Sequence, residues 1–118
     1  MFRLIVAGSR TFYDYDRMAA DLDQLLSQRM PDVEIVCGMC RYGADALAVR
    51  YARERGLQLK EFPADWHVWG KAAGPIRNDR MAVYAHALVA YWDGKSKGTR
   101  NMIRCAQMRG LRIVVRLF

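Results

Sequence analysis

Residues 87–99 read ALVAYWDGKSKGT, an apolar run followed by a loop of glycines, hydroxyls and lysines. The apolar run, Ala87–Trp92, is typical of a strand that is covered on both faces of its sheet. The loop leads into Thr99–Met108, where Met102 and Ala106 belong to an apolar set at helical spacing. This stretch therefore predicts a strand, a polar loop and a helix, which is the repeating unit of an α/β fold.

The same unit recurs outward along the whole chain. Strands are predicted at 2–7, 33–37, 57–62, 87–92 and 111–117. The predicted helices run from a cap at Asp14 or Asp16 to Pro31, then at Gly43–Arg55, from Pro75 to about Ala85, and at Thr99–Met108. Strict alternation implies a parallel sheet with right-handed crossovers. We expect a single α/β domain over residues 1–118, a Rossmann-like three-layer fold with a five-stranded parallel sheet in the order 3-2-1-4-5 and helices on both faces.

The composition and the net charge favour some classes of binding partner over others. The 118 residues are 53% hydrophobic and 26% charged, which is ordinary for a globular protein. No apolar run approaches the roughly 20 residues of a membrane helix, and the apolar start is too short for a secretory signal, so we expect a cytoplasmic protein with no membrane partner. The net charge of +7 favours anionic partners. Because most of the basic residues are arginines, phosphate is favoured, and a solvated basic surface is the alternative.

The loops that follow the strands differ from those that precede them. The turns from helix to strand are short, whereas the connections from strand to helix, at 8–12, 38–43, 63–74 and 93–98, are longer and carry seven of the nine glycines and most of the candidate binding residues. In open α/β sheets ligands bind at the carboxyl ends of the strands. The sequence therefore predicts that these four loops meet at one binding site.

The loop at 93–99 has the composition of a phosphate-binding turn. Gly94 and Gly98 allow backbone N–H groups to approach an anion, and the following helix adds positive potential. Ser96 and Thr99 supply hydroxyl donors. The alternative is an ordinary turn in which Thr99 caps the helix. The spacing is not that of a P-loop.

The loop at 38–45 offers a second glycine-bearing connection. Gly38 and Gly43 allow a tight turn, and Asp45 either contacts ribose hydroxyls or caps the following helix. Its spacing is not that of a dinucleotide-binding fingerprint. Cys37 and Cys40 form a CxxC, for which a zinc site lacks further paired ligands and a redox pair would need an exposed thiolate. We expect two packed thiols and no metal.

The longest connection carries aromatic and basic residues. Trp66 either stacks on a base or covers the core. Lys71 adds charge, and Arg77 and Asn78 are placed in the first turn of the next helix. An arginine in the first turn of a helix is disfavoured by the helix dipole. Its presence there is better explained by a bound anion than by the helix alone.

Together these segments resemble the YspA-type, YpsA-related branch of the SLOG superfamily, which is named after the DprA/Smf and Lonely-Guy proteins. The resemblance covers essentially the whole chain and is carried by five motifs in order: Gly8-Ser9-Arg10, Gly38 with Gly43-Ala44-Asp45, Phe62-Pro63-Ala64-Asp65-Trp66, Gly70-Lys71-Ala72-Ala73-Gly74-Pro75-Ile76-Arg77-Asn78, and Trp92-Asp93-Gly94-Lys95-Ser96-Lys97-Gly98-Thr99. It implies a Rossmann-like domain that binds nucleotides or molecules derived from them, in a family that occurs in bacteria and phages.

The resemblance also bears on catalysis. Lonely-Guy enzymes cleave the bond between base and ribose with a Glu three residues after a similar Gly-Thr turn and an Arg from an earlier helix. Here Gly98-Thr99 matches the turn and Arg77 matches the arginine, but Met102 stands in place of the Glu. A thioether cannot act as a general base or stabilise an oxocarbenium ion. Cys40 and Tyr42 also depart from the usual loop, where shorter versions that contain alanine are typical.

The leading hypothesis is a nucleotide-binding module, a sensor or a sequestering protein, with no catalytic residue and no cofactor. The alternatives are a phosphoribohydrolase-like enzyme, in which Asp45, Asp65 or Asp93 supplies a displaced carboxylate, and a DprA-like nucleic-acid binder. A homodimer is expected because Tyr51, Tyr84 and Met108 exceed what one helix face hides. The predicted binding residues are Gly8, Ser9, Arg10, Gly38, Gly43, Asp45, Trp66, Lys71, Arg77, Asn78, Asp93, Gly94, Ser96, Gly98 and Thr99.

Overall fold

The computed structural model describes residues 1–118 as five strands and five α-helices. The strands are β1 (Phe2–Gly8), β2 (Val33–Gly38), β3 (Gln58–Phe62), β4 (Ala87–Trp92) and β5 (Arg112–Leu117). The helices are α1 (Tyr15–Leu25), α2 (Gly43–Arg55), α3 (Trp66–Trp69), α4 (Ala73–Tyr84) and α5 (Lys97–Met108), with a 3₁₀ turn at Gly70–Ala72.

The five strands form one parallel sheet in the order β3-β2-β1-β4-β5, as predicted. The central strand β1 pairs with β2 and β4, so that Ile5 lies opposite Val36 on one side and Leu88 on the other. The direction of winding reverses between β1 and β4, whose carboxyl ends meet where Gly8 pairs with Tyr91. This is the position at which open α/β sheets bind ligands.

Helices cover both faces of the sheet, which confirms the three layers. Successive strand residues point to opposite faces. Accordingly, Val6 packs in a core with residues of α1 and α2, among them Met18 and Tyr51. Its neighbour Ile5 packs in a second core with residues of α4 and α5, such as Met81.

The first helix is shorter than predicted. Asp14 caps it, since its Oδ1 accepts a hydrogen bond from Arg17 N at 3.1 Å. The helix ends at Leu25 rather than near Pro31, because Arg29 N and Met30 N both donate to Leu26 O and close the chain into turns. Met30 still packs against the core from its turn, which is why its spacing resembled a continuing helix.

Two helix starts also differ from the prediction. The long connection contains the short helix α3, and α4 begins at Ala73, so Arg77 and Asn78 lie in its second turn rather than its first. The dipole argument for an anion beside Arg77 therefore loses its basis, because the dipole acts mainly on the first turn. The last helix begins at Lys97, with Ser96 and not Thr99 as its cap.

Most of the apolar surplus that suggested a homodimer is absorbed within the chain. Tyr51 is buried, and Tyr84 packs against Phe62 while its hydroxyl donates to Glu34. Only Met108 of the three residues stays fully exposed, at 80%. The homodimer thus remains a prediction. None of the five helices combines the length and the apolarity that crossing a bilayer would demand.

Candidate functional site

A cavity of about 580 Å³ opens at the carboxyl edge of the sheet. Its size is within the range of small-molecule sites. It lies beyond the ends of β1, β2 and β4 and between the starts of α2, α4 and α5. Every predicted binding residue lines it except Gly43, Lys71 and Gly94.

Ser9, in the loop after β1, connects β4, the start of α2 and the loop after β4. The buried Ser9 donates its N–H to Tyr91 O, its carbonyl accepts from Ala44 N, and its hydroxyl accepts from Asp93 N at 3.3 Å. Gly43 has φ +62°, and a Cβ there would lie 2.4 Å from Ser9 O. Ser9 and Gly43 therefore hold the loops together, while the side chain of Arg10 is exposed at the cavity.

The loop after β4 is closed by its own side chains. Oδ1 of Asp93 accepts hydrogen bonds from Lys95 N and Ser96 N, both at 2.8 Å. These hydrogen bonds, the one from Ser96 first, lower the pKa of Asp93. Thr99 N donates to Ser96 Oγ at 3.4 Å. Three of the backbone donors predicted to hold a phosphate are thus already used within the loop.

Two backbone donors of this loop are unused, and the residues that carry them line the cavity. Lys97 N and Gly98 N belong to the first turn of α5 and make no hydrogen bond within the chain. N–H groups at a helix start, together with the helix dipole, attract anions. Lys97, which the predicted set omitted, lines the cavity and forms no ion pair.

Arg77 projects from α4 into the cavity with its terminal amines free. Its Nε donates to Asn78 Oδ1 at 2.9 Å, and neither Nη atom has a partner in the chain. Asn78 is 5% exposed, and its Nδ2 donates to Asn101 Oδ1 at 2.9 Å and to Gly98 O at 3.4 Å. Through these hydrogen bonds, Asn78 connects the side chain of Arg77 with the start of α5.

Asp45 faces the cavity from α2 and does not cap that helix. The cap position is Tyr42, which makes no side-chain hydrogen bond, and Asp45 Oδ2 instead accepts from Cys40 N at 3.2 Å. Burial raises the pKa of Asp45 to about 6, against the opposing effects of that hydrogen bond and of Arg77. Its Oδ1 makes no hydrogen bond within the chain.

Gly38 brings Asp45 and Arg77 to one place. A Cβ on Gly38 would lie 2.5 Å from Arg77 Nη1 and 2.9 Å from Asp45 Oδ2. The glycine is therefore needed so that a cation and a carboxylate can approach the end of β2. The two side chains do not form an ion pair within 4 Å.

Trp66 forms the outer wall of the cavity. It is 57% exposed, and its ring edge lies over Gly74 at the start of α4. Asp65 caps its short helix by accepting from Val68 N at 3.1 Å. Local structure thus positions the indole while more than half of the residue stays exposed. Lys71, in the 3₁₀ turn, is exposed and lies outside the cavity wall.

Cys40 and Met102 line the cavity, whereas Cys37 does not. Cys37 is buried, as predicted, and burial raises the pKa of its thiol. Cys40 is only half-buried and lines the cavity, so the prediction of two packed thiols holds for Cys37 alone. Met102 is 1% exposed, packs in the core and touches the cavity at its base.

Sequence reasoning missed Asn101 and Thr11 in the cavity wall. Asn101 is a polar residue one position before Met102, which belongs to the apolar set of this helix, and that contrast was an available signal. Thr11 directly follows Gly8-Ser9-Arg10 and carries no signal beyond its neighbours.

Comparisons with known proteins agree with this architecture. The family model described as YAcAr, the YspA, cpYpsA-related SLOG family, matches residues 2–69. That range includes the loops after β1 and β2 and the α3 segment. The Gene 61 protein of Mycobacterium phage D29 is 33% identical over 120 residues, which cover 97% of this chain and 95% of that protein.

Proposed function

We propose that this chain, which belongs to the YspA, cpYpsA-related SLOG family, is a binding protein for a nucleotide or a nucleotide-derived molecule. It would act as a sensor or as a protein that sequesters its ligand. Membership of the family indicates a nucleotide-related function. The observation that carries the finer proposal is the set of free cationic and N–H donors at one cavity, Arg77 and the start of α5 foremost.

The free donors suggest where each part of a nucleotide would bind. The phosphate would accept hydrogen bonds from Lys97 N and Gly98 N, with Arg77 and Arg10 as countercharges. The base would stack on the exposed indole of Trp66, as bases do on exposed aromatic rings. The ligand would then lie across the carboxyl ends of β1 and β4.

Calorimetry on a panel of mono-, di-, cyclic and ADP-ribose-type nucleotides tests the proposal. At least one member should bind to the parent chain. The variant R77A should bind it about tenfold to a hundredfold more weakly, the range expected for losing a charge-assisted hydrogen bond. The matched control is R80A, because Arg80 is exposed on the same helix and does not line the cavity. Failure of the whole panel to bind, or equal affinity of R77A and the parent, contradicts the proposal.

A hydrolase is the second candidate, and Asp45 is the observation that favours it. Of the three carboxylates that could replace the missing Glu, Asp65 caps α3 outside the cavity and Asp93 is held in its turn. Asp45 alone combines the cavity wall with a raised pKa of about 6, which suits a group that exchanges a proton near neutral pH. Steady release of free base and ribose phosphate from the bound nucleotide would select this candidate, whereas uncleaved ligand favours the binding module.

Two further measurements, oligonucleotide binding and light scattering, test the remaining expectations. Affinity for single-stranded oligonucleotides without affinity for any mononucleotide would select the nucleic-acid alternative. The homodimer stays part of the proposal through Met108 and the exposed end of β5, where Leu117 is 63% and Phe118 is 45% exposed. A monomer mass by light scattering at micromolar concentration would remove it.

A further inference from the structure

Asp45 is unusual in a cavity built to attract anions. The basic side chains of its wall, Arg10, Arg77 and Lys97, are free of ion pairs, and two N–H groups of α5 are free as well. A carboxylate among these groups weakens their attraction for a phosphate. A ligand that consisted of phosphate alone would therefore bind better without Asp45.

Local structure does not explain why a carboxylate is needed there. The role of helix cap falls to Tyr42, and the single hydrogen bond from Cys40 N to Oδ2 could be accepted by the oxygen of an amide. Oδ1 is left as an acceptor without a partner. A partly buried acceptor of this kind is satisfied when a bound molecule supplies a donor.

The proposed placement of the nucleotide limits which donor that is. The phosphate lies at the start of α5 and the base at Trp66, so the sugar, which joins the two, must cross the middle of the cavity. The end of β2 belongs to the wall of this same cavity, and Gly38 there leaves room beside Asp45 and Arg77. Two neighbouring hydroxyls offer two O–H donors to one carboxylate, and such charge-assisted hydrogen bonds are among the strong ones.

We propose that Asp45 is a specificity-determining residue that accepts hydrogen bonds from the vicinal hydroxyls of the ligand's sugar, so that the cavity selects ribonucleotides over their deoxy forms. This inference rests on the proposed function, since it requires a nucleotide in the cavity. It adds a selection that the phosphate contacts of Arg77 and α5 do not provide.

The experiment compares adenosine 5′-monophosphate with its 2′-deoxy and 2′,3′-dideoxy forms by calorimetry at pH 7.5. The parent chain should bind the ribonucleotide about tenfold to a hundredfold more tightly than the dideoxy form. The phosphate and the base are identical in the three probes, so their contributions cancel in the ratio. The comparison needs no variant, so a folding defect cannot obscure it.

The variant D45N then assigns the selection to this side chain. Its amide oxygen can still accept from Cys40 N, while its NH₂ group presents donors to a sugar that also donates. The ratio between the ribonucleotide and the dideoxy form should fall to about one, while the affinity for the dideoxy form should be kept or increased, because the carboxylate no longer opposes the phosphate. The control is E61Q, because Glu61 bears on Asp45 electrostatically but does not line the cavity. This control should keep the full ratio.

The outcomes separate the two proposals. Equal binding of all three probes to the parent, or a full ratio in D45N, overturns the role of Asp45 and leaves the nucleotide site intact. Absence of binding by any of the three probes and by the wider panel overturns the proposed function, and the role of Asp45 falls with it. Preference for guanosine over adenosine monophosphate without any effect of the hydroxyls would assign Asp45 to the base and also overturn this inference.

Discussion

Asp45 follows β2 and Asp93 follows β4 at the same edge of the sheet, with β1 between the two strands. Each carboxylate accepts hydrogen bonds from loop N–H groups, yet the pKa values of the two shift in opposite directions. Asp93 accepts from Ser96 N and Lys95 N near solvent, and its pKa is lowered. Asp45 accepts only from Cys40 N in a buried setting, and burial raises its pKa to about 6. The first carboxylate stabilises a turn, whereas the second is held at a cost that a ligand can offset.

The largest expected effects come from substituting the glycines of the two loops, Gly38 and Gly94. Gly38 lies against Arg77 and Asp45, so the methyl group of G38A would displace both side chains. Nucleotide affinity should fall about tenfold to a hundredfold, as in R77A. Gly94 has φ +80° with open space around it, so G94A should instead strain the turn and lower the unfolding free energy by about 1–2 kcal/mol. Calorimetric binding and thermal unfolding of both variants test whether G38A mainly loses affinity and G94A mainly loses stability. A loss of stability confined to G38A together with a loss of affinity confined to G94A would contradict this prediction.

Removing the charge of Asp45 should make the protein more stable. Because folding raises the pKa of Asp45 to about 6, the native state holds this proton more tightly than the unfolded chain does. The resulting stability is fully present below the unfolded pKa of about 4 and is lost as the pH rises through about 6. Burial contributes most to this raised pKa of Asp45, while the hydrogen bond from Cys40 N and the facing charges of Arg77, Glu61 and Arg10 modify it.

The expected gain of D45N in unfolding free energy is therefore about 1–3 kcal/mol at pH 7.5 and close to zero at pH 4. Denaturant unfolding at the two pH values measures it. A variant that is less stable than the parent at pH 7.5 would show that Asp45 is a structural residue.

The corresponding change in the other loop should have the smaller effect and the opposite sign. Because the pKa of Asp93 is lowered by folding, its stabilisation is present above the unfolded pKa and is lost as the pH falls through the folded value. The variant D93N should thus lower the unfolding temperature at pH 7.5 and match the parent in strong acid. Thermal unfolding across the acid range tests this, and a gain in stability at neutral pH would contradict it.

The fold could be predicted because alternation and apolar runs dictate it. The runs at β1 and β4 are continuous, and glycine ends α2 with φ +65° at Gly56. Helix ends were predicted less well where apolar residues continue past them, as at Met30. The helix α3 was missed because a four-residue helix is too short to show a period.

The site could be predicted as a place but not as a set of contacts. Topology brings the strand-to-helix loops together, so most of the predicted residues line one cavity. The sequence does not reveal which backbone N–H donors are already used within the loop. Phosphate binding was therefore predicted for the whole of 94–99, although Asp93 and Ser96 accept hydrogen bonds from part of it. The sequence also could not decide whether Asp45 contacts ribose hydroxyls or caps a helix, because its burial and hydrogen bonding arise only from the tertiary structure.

The difference between the two carboxylates can be read directly in one sample. Carboxyl-carbon NMR of protein labelled at aspartate, followed from acid to neutral pH without ligand, reports both titrations together. We expect a midpoint near pH 6 for Asp45 and a midpoint below the ordinary aspartate range for Asp93. Resonances assigned through D45N and D93N that titrate together in the ordinary range, or in the reverse order, would contradict this expectation.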